Sequence, residues 1–182
     1  MKLTKAALAS AIAMTFILSA NAADTHNGTV TFNGTIIDTP CSVDQDDLHQ
    51  TVEFGEISKA VLENGGTSDI KSFDIELKDC SLDTATTAKI VFNGGTAAGT
   101  NSELLALNGA ASGAGIAVKY SGSKIKFDGA TPAVNASPLS NGDNTFSFST
   151  YVEKLPTPQS GTAVDITTGE FTSTANFVVS YQ

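Results

Sequence analysis

The chain has no arginine and no tryptophan, only two histidines and two cysteines, and no apolar run reaching the roughly 20 residues that span a bilayer. Each scarcity removes a class of function. A protein that displaces counterions from nucleic acid needs clustered cations, but here ten lysines are scattered among nineteen acidic residues. Nucleic acid is therefore excluded as a partner, and anionic membrane surfaces suit this chain no better. The two histidines, His26 and His49, lie near the N-terminus and in the polar run 44–50, where each reads as a solvated side chain rather than a catalyst. The sequence holds no G-x-S-x-G elbow, no H-E-x-x-H pair and no phosphate-binding glycine loop. Asp44-Gln-Asp-Asp47 opens like a calcium loop, yet its sixth position is His49 and its twelfth is Gly55, where that loop needs glycine and glutamate. As a glycosidase pair the same acids are adjacent charges on a polar turn. No enzyme activity, cofactor or metal is assigned.

The N-terminus supplies the compartment. Lys2 and Lys5 precede a mostly apolar run over 6–18, followed by the small-residue stretch Ser19-Ala-Asn-Ala22. This is the form of a secretory signal over 1–22, and the run is too short for an anchor. The remaining 160 residues suffice for one domain with a core. Their 8 lysines and 19 acids give a net charge of −11, which serves solubility. Cys41 and Cys80 both fall in the exported part, where two thiols most simply pair with each other. A reactive or metal-binding pair is the alternative, but nothing beside either cysteine supports it.

The rest reads as strands. Alternating segments occur at Phe73-Asp-Ile-Glu-Leu77, Lys89-Ile-Val-Phe92, Ile116-Ala-Val-Lys-Tyr120, Lys124-Ile-Lys-Phe127, Phe146-Ser-Phe-Ser-Thr-Tyr151 and Ala175-Asn-Phe-Val-Val-Ser-Tyr181. Clusters of Gly, Asn, Ser and Pro separate them, as expected of an antiparallel β-sandwich. The one helix candidate is a short stretch over 58–63. The Gly/Ala/Ser-rich stretch 94–115 reads as surface loops, and Pro132, Pro138, Pro156 and Pro158 mark loops or edge strands.

Both ends carry alternating strands. In Asn27-Gly-Thr-Val-Thr-Phe-Asn-Gly-Thr-Ile-Ile37, the Asn33-Gly34 pair is a two-residue hairpin signal. Read instead as one extended strand, the segment puts Val30, Phe32, Gly34 and Ile36 on one face, with the glycine as an empty place in an apolar row. At the other end Phe171, Ser173, Ala175, Phe177, Val179 and Tyr181 share a face, one residue short of Gln182.

With these motifs the chain resembles the pilin subunits of chaperone-usher fimbriae of Gram-negative bacteria, most closely the major rod subunits of P and type 1 fimbriae. The resemblance rests on Gly28-Thr-Val-Thr-Phe-Asn-Gly-Thr-Ile-Ile-Asp38 leading into Pro40-Cys-Ser42, on Phe54-Gly-Glu-Ile-Ser58, on Phe73 to Leu77 with Cys80 after it, and on the close Ala175-Asn-Phe-Val-Val-Ser-Tyr-Gln182. The penultimate Tyr181, and Gly169 as the fourteenth residue from the end, fit the same pattern. The resemblance implies an all-β fold: an incomplete immunoglobulin-like β-sandwich lacking its last strand, completed by a donor strand from a chaperone or a neighbouring subunit. It divides the chain into a signal peptide (1–22), an N-terminal donor-strand extension running into the first strand (23–37) and a pilin domain (38–182). Gly28, Val30, Phe32, Gly34 and Ile36 would form the donor row, while Gly169, Ala175, Phe177, Val179, Tyr181 and Gln182 would form the groove-edge strand. The implied partners are a periplasmic chaperone, an outer-membrane usher, copies of the chain itself and other fimbrial subunits. The implied function is that of a fimbrial structural subunit, exported through the periplasm to the cell surface, that polymerises by donor-strand exchange and supports adhesion. A minor adaptor subunit or a carbohydrate-binding fimbrial adhesin is the alternative.

Overall fold

The computed structural model describes residues 27–36, 39–83, 85–158, 161 and 163–182. The signal segment, His26 and the remainder of the expected extension (23–26 and 37) lie outside them. The chain forms two units, Met1–Ile36 and Ile37–Gln182.

In the first unit, residues 27–36 form no turn, helix or strand. Gly34 is absent from the described glycines of positive φ, so Asn33-Gly34 is not the hairpin turn that its sequence signals.

In the second unit eleven strands follow one another: β1 (Ser42–Val43), β2 (Lys71–Cys80), β3 (Thr87–Gly94), β4 (Leu104–Ala106), β5 (Asn108–Gly109), β6 (Ala114–Tyr120), β7 (Ser123–Lys124), β8 (Asp128–Pro138), β9 (Gly142–Lys154), β10 (Phe171–Thr172) and β11 (Ala175–Tyr181). The expected helix is α1, Lys59–Glu63. One sheet runs β1-β2-β9-β6-β4 with β7 added to β6, a second runs β11-β3-β8, and β5 and β10 form a two-stranded ribbon. All pairings between strands are antiparallel.

The two main sheets face each other because their inward positions are large and apolar. Phe92 on β3 meets Phe148 on β9 edge-on, with ring centroids 5.2 Å apart, and Phe148 stacks on Phe73 of β2 at the same spacing. Ile75, Leu77, Ile90, Phe127, Val134 and Val152 complete the fully buried set. Burial of each such side chain contributes roughly 1.5–3 kcal/mol. Cys41 and Cys80 are disulfide-bonded, tying the entry to β1 to the end of β2.

Two strand assignments change. The expected strand 124–127 pairs only through Ser123–Lys124, although Ile125 and Phe127 are buried as its alternation requires. The single terminal strand is broken into β10 and β11, and at the break the Ser173 hydroxyl donates to the Ala106 carbonyl at 2.9 Å. The stretch 94–115 is not all loop, since it contains β4 and β5. β8 carries Pro132 and Pro138 and is an outer strand, paired to β3 through three register irregularities. This is the edge placement that proline requires.

Charged side chains fasten the ends of strands. Lys78 on β2 reaches Glu76 at 2.6 Å, Asp143 of β9 at 3.2 Å and Asp44 at 4.0 Å. The hydrogen bonds to Glu76 and then Asp143 hold its ammonium above the usual lysine range. Within the acidic run 44–47, Asp44 accepts the Asp46 N–H at 3.0 Å and Asp47 accepts the Glu76 N–H, so these carboxylates brace the β2 edge. Asp128 opens β8 by accepting from the Thr131 hydroxyl at 2.6 Å and from the N–H groups of Thr131 and Ala130 at 2.7 and 2.9 Å. Together these donors pull its carboxyl down to about 2.

Two predictions follow from these fastenings. Replacing both cysteines by serine releases a loop of sequence separation 39 and should lower stability by about 4 kcal/mol, read from urea unfolding. Asp128 titrates lower in the folded chain than unfolded, so its contribution is complete above about pH 4 and is lost as the pH falls through about 2. Asp128→Asn should therefore show a smaller drop in urea midpoint over that window than the parent chain, each measured against its own value at neutral pH.

Candidate functional site

The last strand has one free side. β11 pairs with β3 from Ala175↔Gly94 to Tyr181↔Ala88 without a register break, and no other described strand lies against its opposite edge. The phase of the ladder shows which groups face outward. Gln182 donates its N–H to the Thr87 carbonyl at 3.0 Å, and Thr87 donates back to the Gln182 carbonyl at 3.0 Å. In an antiparallel pair such mutual bonding recurs at every second residue. Asn176, Val178 and Ser180 therefore bond to β3, while Ala175, Phe177, Val179 and Tyr181 direct their N–H and C=O groups to the open edge. The same four side chains are half-buried against the core. Phe177, for instance, lies 6.1 Å from Phe92 between ring centroids.

The facing rim is the segment 51–57, which belongs to no ladder. Val52, Phe54 and Ile57 are half-buried along it. Gly55, with φ +69, shifts the alternation by one residue between Phe54 and Ile57. Between this rim and residues 166–175 run two adjoining cavities of about 1120 and 420 Å3 that share Val52, Glu53, Phe54, Phe171 and Thr172. The smaller is floored by Phe92, Leu105, Ile116, Val118 and Phe127, and the larger reaches Leu62, Ala114, Val152 and Ile166. The two meet where the rings of Phe54 and Phe171 approach to 6.4 Å across the groove. The result is a furrow with an apolar floor that meets the free edge of β11 at Ala175.

Gly169 lines the larger cavity. A Cβ there would lie 2.6 Å from the Ala110 Cβ and 2.9 Å from backbone atoms of Ala110 and Ala111, so only glycine lets the two loops close up. Burial pushes the Tyr181 phenol up, which keeps it neutral at the groove edge.

Of the chain-terminal residues singled out in the sequence, Ala175, Phe177, Val179 and Tyr181 lie along the free edge of β11 and Gln182 is bonded to Thr87 beyond its end, while Gly169 lies outside β11, in the loop before β10. Gly28, Val30, Phe32, Gly34 and Ile36 belong to the other unit, where Phe32 is 89% exposed and Val30 and Ile36 are exposed as well. The opposite rim was not assigned a role from sequence, although Gly55 inside Phe54-Gly-Glu-Ile-Ser58 was the available signal.

Comparison with known proteins decides the family. The Fimbrial protein family matches residues 30–182. The chain belongs to that family. Among its relatives, the "Fimbria A protein" of Serratia marcescens is 40% identical over 183 residues, covering 100% of both chains. The "PRS fimbrial major pilin protein" of Escherichia coli is 41% identical over 169 residues, covering 90% of this chain and 99% of the relative. Among solved structures, a chaperone-usher pilus studied for the uncoiling of its rod superposes with a TM-score of 0.75 at 35% identity, over 86% of this chain and 96% of that one. The fold is thus the incomplete immunoglobulin-like sandwich of chaperone-usher pilus subunits. The chain is a structural subunit of a fimbria, exported through the periplasm to the cell surface.

The edge geometry is checked by amide exchange on the mature chain without an added strand. Amides of Val178, Ser180 and Gln182 should be protected, while those of Phe177, Val179 and Tyr181 should exchange without ladder protection. Equal protection of both sets would contradict the assigned phase.

Proposed function

We propose that this fimbrial subunit polymerises by donor-strand exchange, with the N-terminal segment of one copy completing the groove of the next. The observation that carries the proposal is the conjunction of the free edge of β11, which meets the apolar furrow at Ala175, with an unpaired segment of matching chemistry in the same chain. That segment, 27–36, contains no charged residue and presents exposed Val30, Phe32 and Ile36. Burying these three in a groove would contribute roughly 1.5–3 kcal/mol each, with ladder hydrogen bonds adding about 1 kcal/mol apiece. Gly34 leaves an empty place in the apolar row, and the outward groups of Ala175, Phe177, Val179 and Tyr181 provide the ladder.

Before assembly the same edge needs a temporary cover, because an open apolar furrow with free backbone groups favours aggregation. A periplasmic chaperone that adds a strand there fits this need, and an outer-membrane usher is the matching exit. The acidic rim residues Glu53, Glu56 and Glu170 favour cationic groups on whatever approaches. The correspondence with a major pilin along almost the whole of that relative favours a rod subunit over a minor adaptor or a carbohydrate-binding adhesin.

The test is to remove residues 23–37 and co-express the chain with its chaperone. The truncated chain should still form the chaperone complex and fail to enter fibres, and fibres of normal yield would refute the assignment. Phe32→Asp and Gly34→Val should lower fibre yield severely while leaving chaperone complexes unchanged, measured on sheared surface fibres.

A further inference from the structure

Six Asn-Gly pairs occur in the chain, at 27–28, 33–34, 64–65, 93–94, 108–109 and 141–142. Asparagine followed by glycine is the pair most open to cyclisation, since a glycine offers no Cβ to hinder attack by its own amide nitrogen. In the folded second unit each pair is restrained. The Gly65 N–H donates to the Leu62 carbonyl at 3.1 Å and the Gly94 N–H to the Phe127 carbonyl at 3.2 Å. Gly109 is paired with Phe171, Gly142 is paired with Cys80, and the Asn141 side chain accepts the Leu82 N–H at 3.2 Å. Among the described residues, none of these restraints is present at Asn33-Gly34. Both residues are exposed, their segment lies outside any ladder, and a Cβ on Gly34 would meet no atom within 4 Å.

We propose that Asn33 is a spontaneous deamidation site that retires subunits left unassembled. The Gly34 amide nitrogen gives up its proton and bonds to the Asn33 side-chain carbonyl carbon, and the side-chain nitrogen departs as ammonia. Water then opens the resulting succinimide. Cleavage on one side of the ring nitrogen leaves aspartate, and cleavage on the other leaves isoaspartate, whose main chain runs through the side-chain carbon. Aspartate places a carboxylate in a segment that has no charge. Isoaspartate inserts one extra backbone atom between Phe32 and Gly34, so Gly34 and Ile36 fall out of phase with Val30 and Phe32. The consequence for assembly rests on the donor-strand reading, because only a segment that must dock in register is disabled by such a change. Once docked, the Gly34 amide and the Asn33 side chain are held apart in a ladder, and the reaction stops. Asn27-Gly28 is open to the same chemistry but lies at the end of the row, where a break in phase displaces fewer contacts.

The test ages the mature chain, bound to its chaperone, in mildly alkaline buffer beside assembled fibres. Peptide mass analysis and isoaspartate methyltransferase labelling read each asparagine. Conversion at Asn33 should be several-fold faster than at Asn93, Asn108 and Asn141, and several-fold slower in fibres than in the chaperone complex. Equal rates at all sites would overturn the site assignment. Aged complexes should then lose assembly competence in proportion to converted Asn33, whereas Asn33→Gln, whose longer side chain closes the ring poorly, should assemble like fresh parent protein and stay competent. Aged parent chains that assemble as well as fresh ones would overturn the functional consequence. If residues 23–37 also proved dispensable for fibres, the failure would lie with the donor-strand reading, while the relative rates would still judge the chemistry.

Discussion

An unpaired strand edge organises this molecule. Backbone N–H and C=O groups must be bonded to protein or water, and β11 offers one row of them to β3 and another to no other described strand. Period-two geometry then places the apolar side chains of Ala175, Phe177, Val179 and Tyr181 on the residues whose backbone groups are free. Any strand that satisfies these hydrogen bonds also lies beside the four apolar side chains. The furrow floored by Phe92, Ile116 and Phe127 meets this edge at Ala175.

Much of the remaining architecture holds that edge in position. The sandwich closes through contacts between sheets such as Phe92 on Phe148, which fix β3 and with it β11. At the opposite bank the disulfide and the Lys78 cluster anchor the chain on either side of β1, from which 51–57 departs as the second rim. Gly169 allows the loop before β10 to press against Ala110, bringing Phe171 up to Phe54. With no arginine in the chain, a lysine shared among three carboxylates does work that a guanidinium fork often does elsewhere.

Alternation made β2, β3 and β11 legible in the sequence, together with the first part of β9, whereas β6 is buried on both faces over its first five residues. β8 was not legible, because prolines and small residues occupy it and only Val134 among its side chains is buried. The rim 51–57 escaped for a different reason. It has no ladder, and Gly55 breaks the period, so neither signal used to find a strand is present. The groove itself was legible only through resemblance, since an empty space between two segments leaves no mark in either one's periodicity. At Asn33-Gly34 the local turn signal was misleading: the pair has the composition of a hairpin, but an arm as short as this one could not bury Val30 and Phe32 by folding back.

The alternation in β11 also sorts its residues by how freely they can vary. Ala175, Phe177, Val179 and Tyr181 carry both the core packing and the free backbone edge. Asn176, Val178 and Ser180 turn their side chains away from the core and their backbone groups toward β3, a bond that any residue except proline can make. A lineage under pressure to change the face it shows to its surroundings therefore has, within its most constrained strand, three positions where identity can drift while subunits of old and new sequence still join.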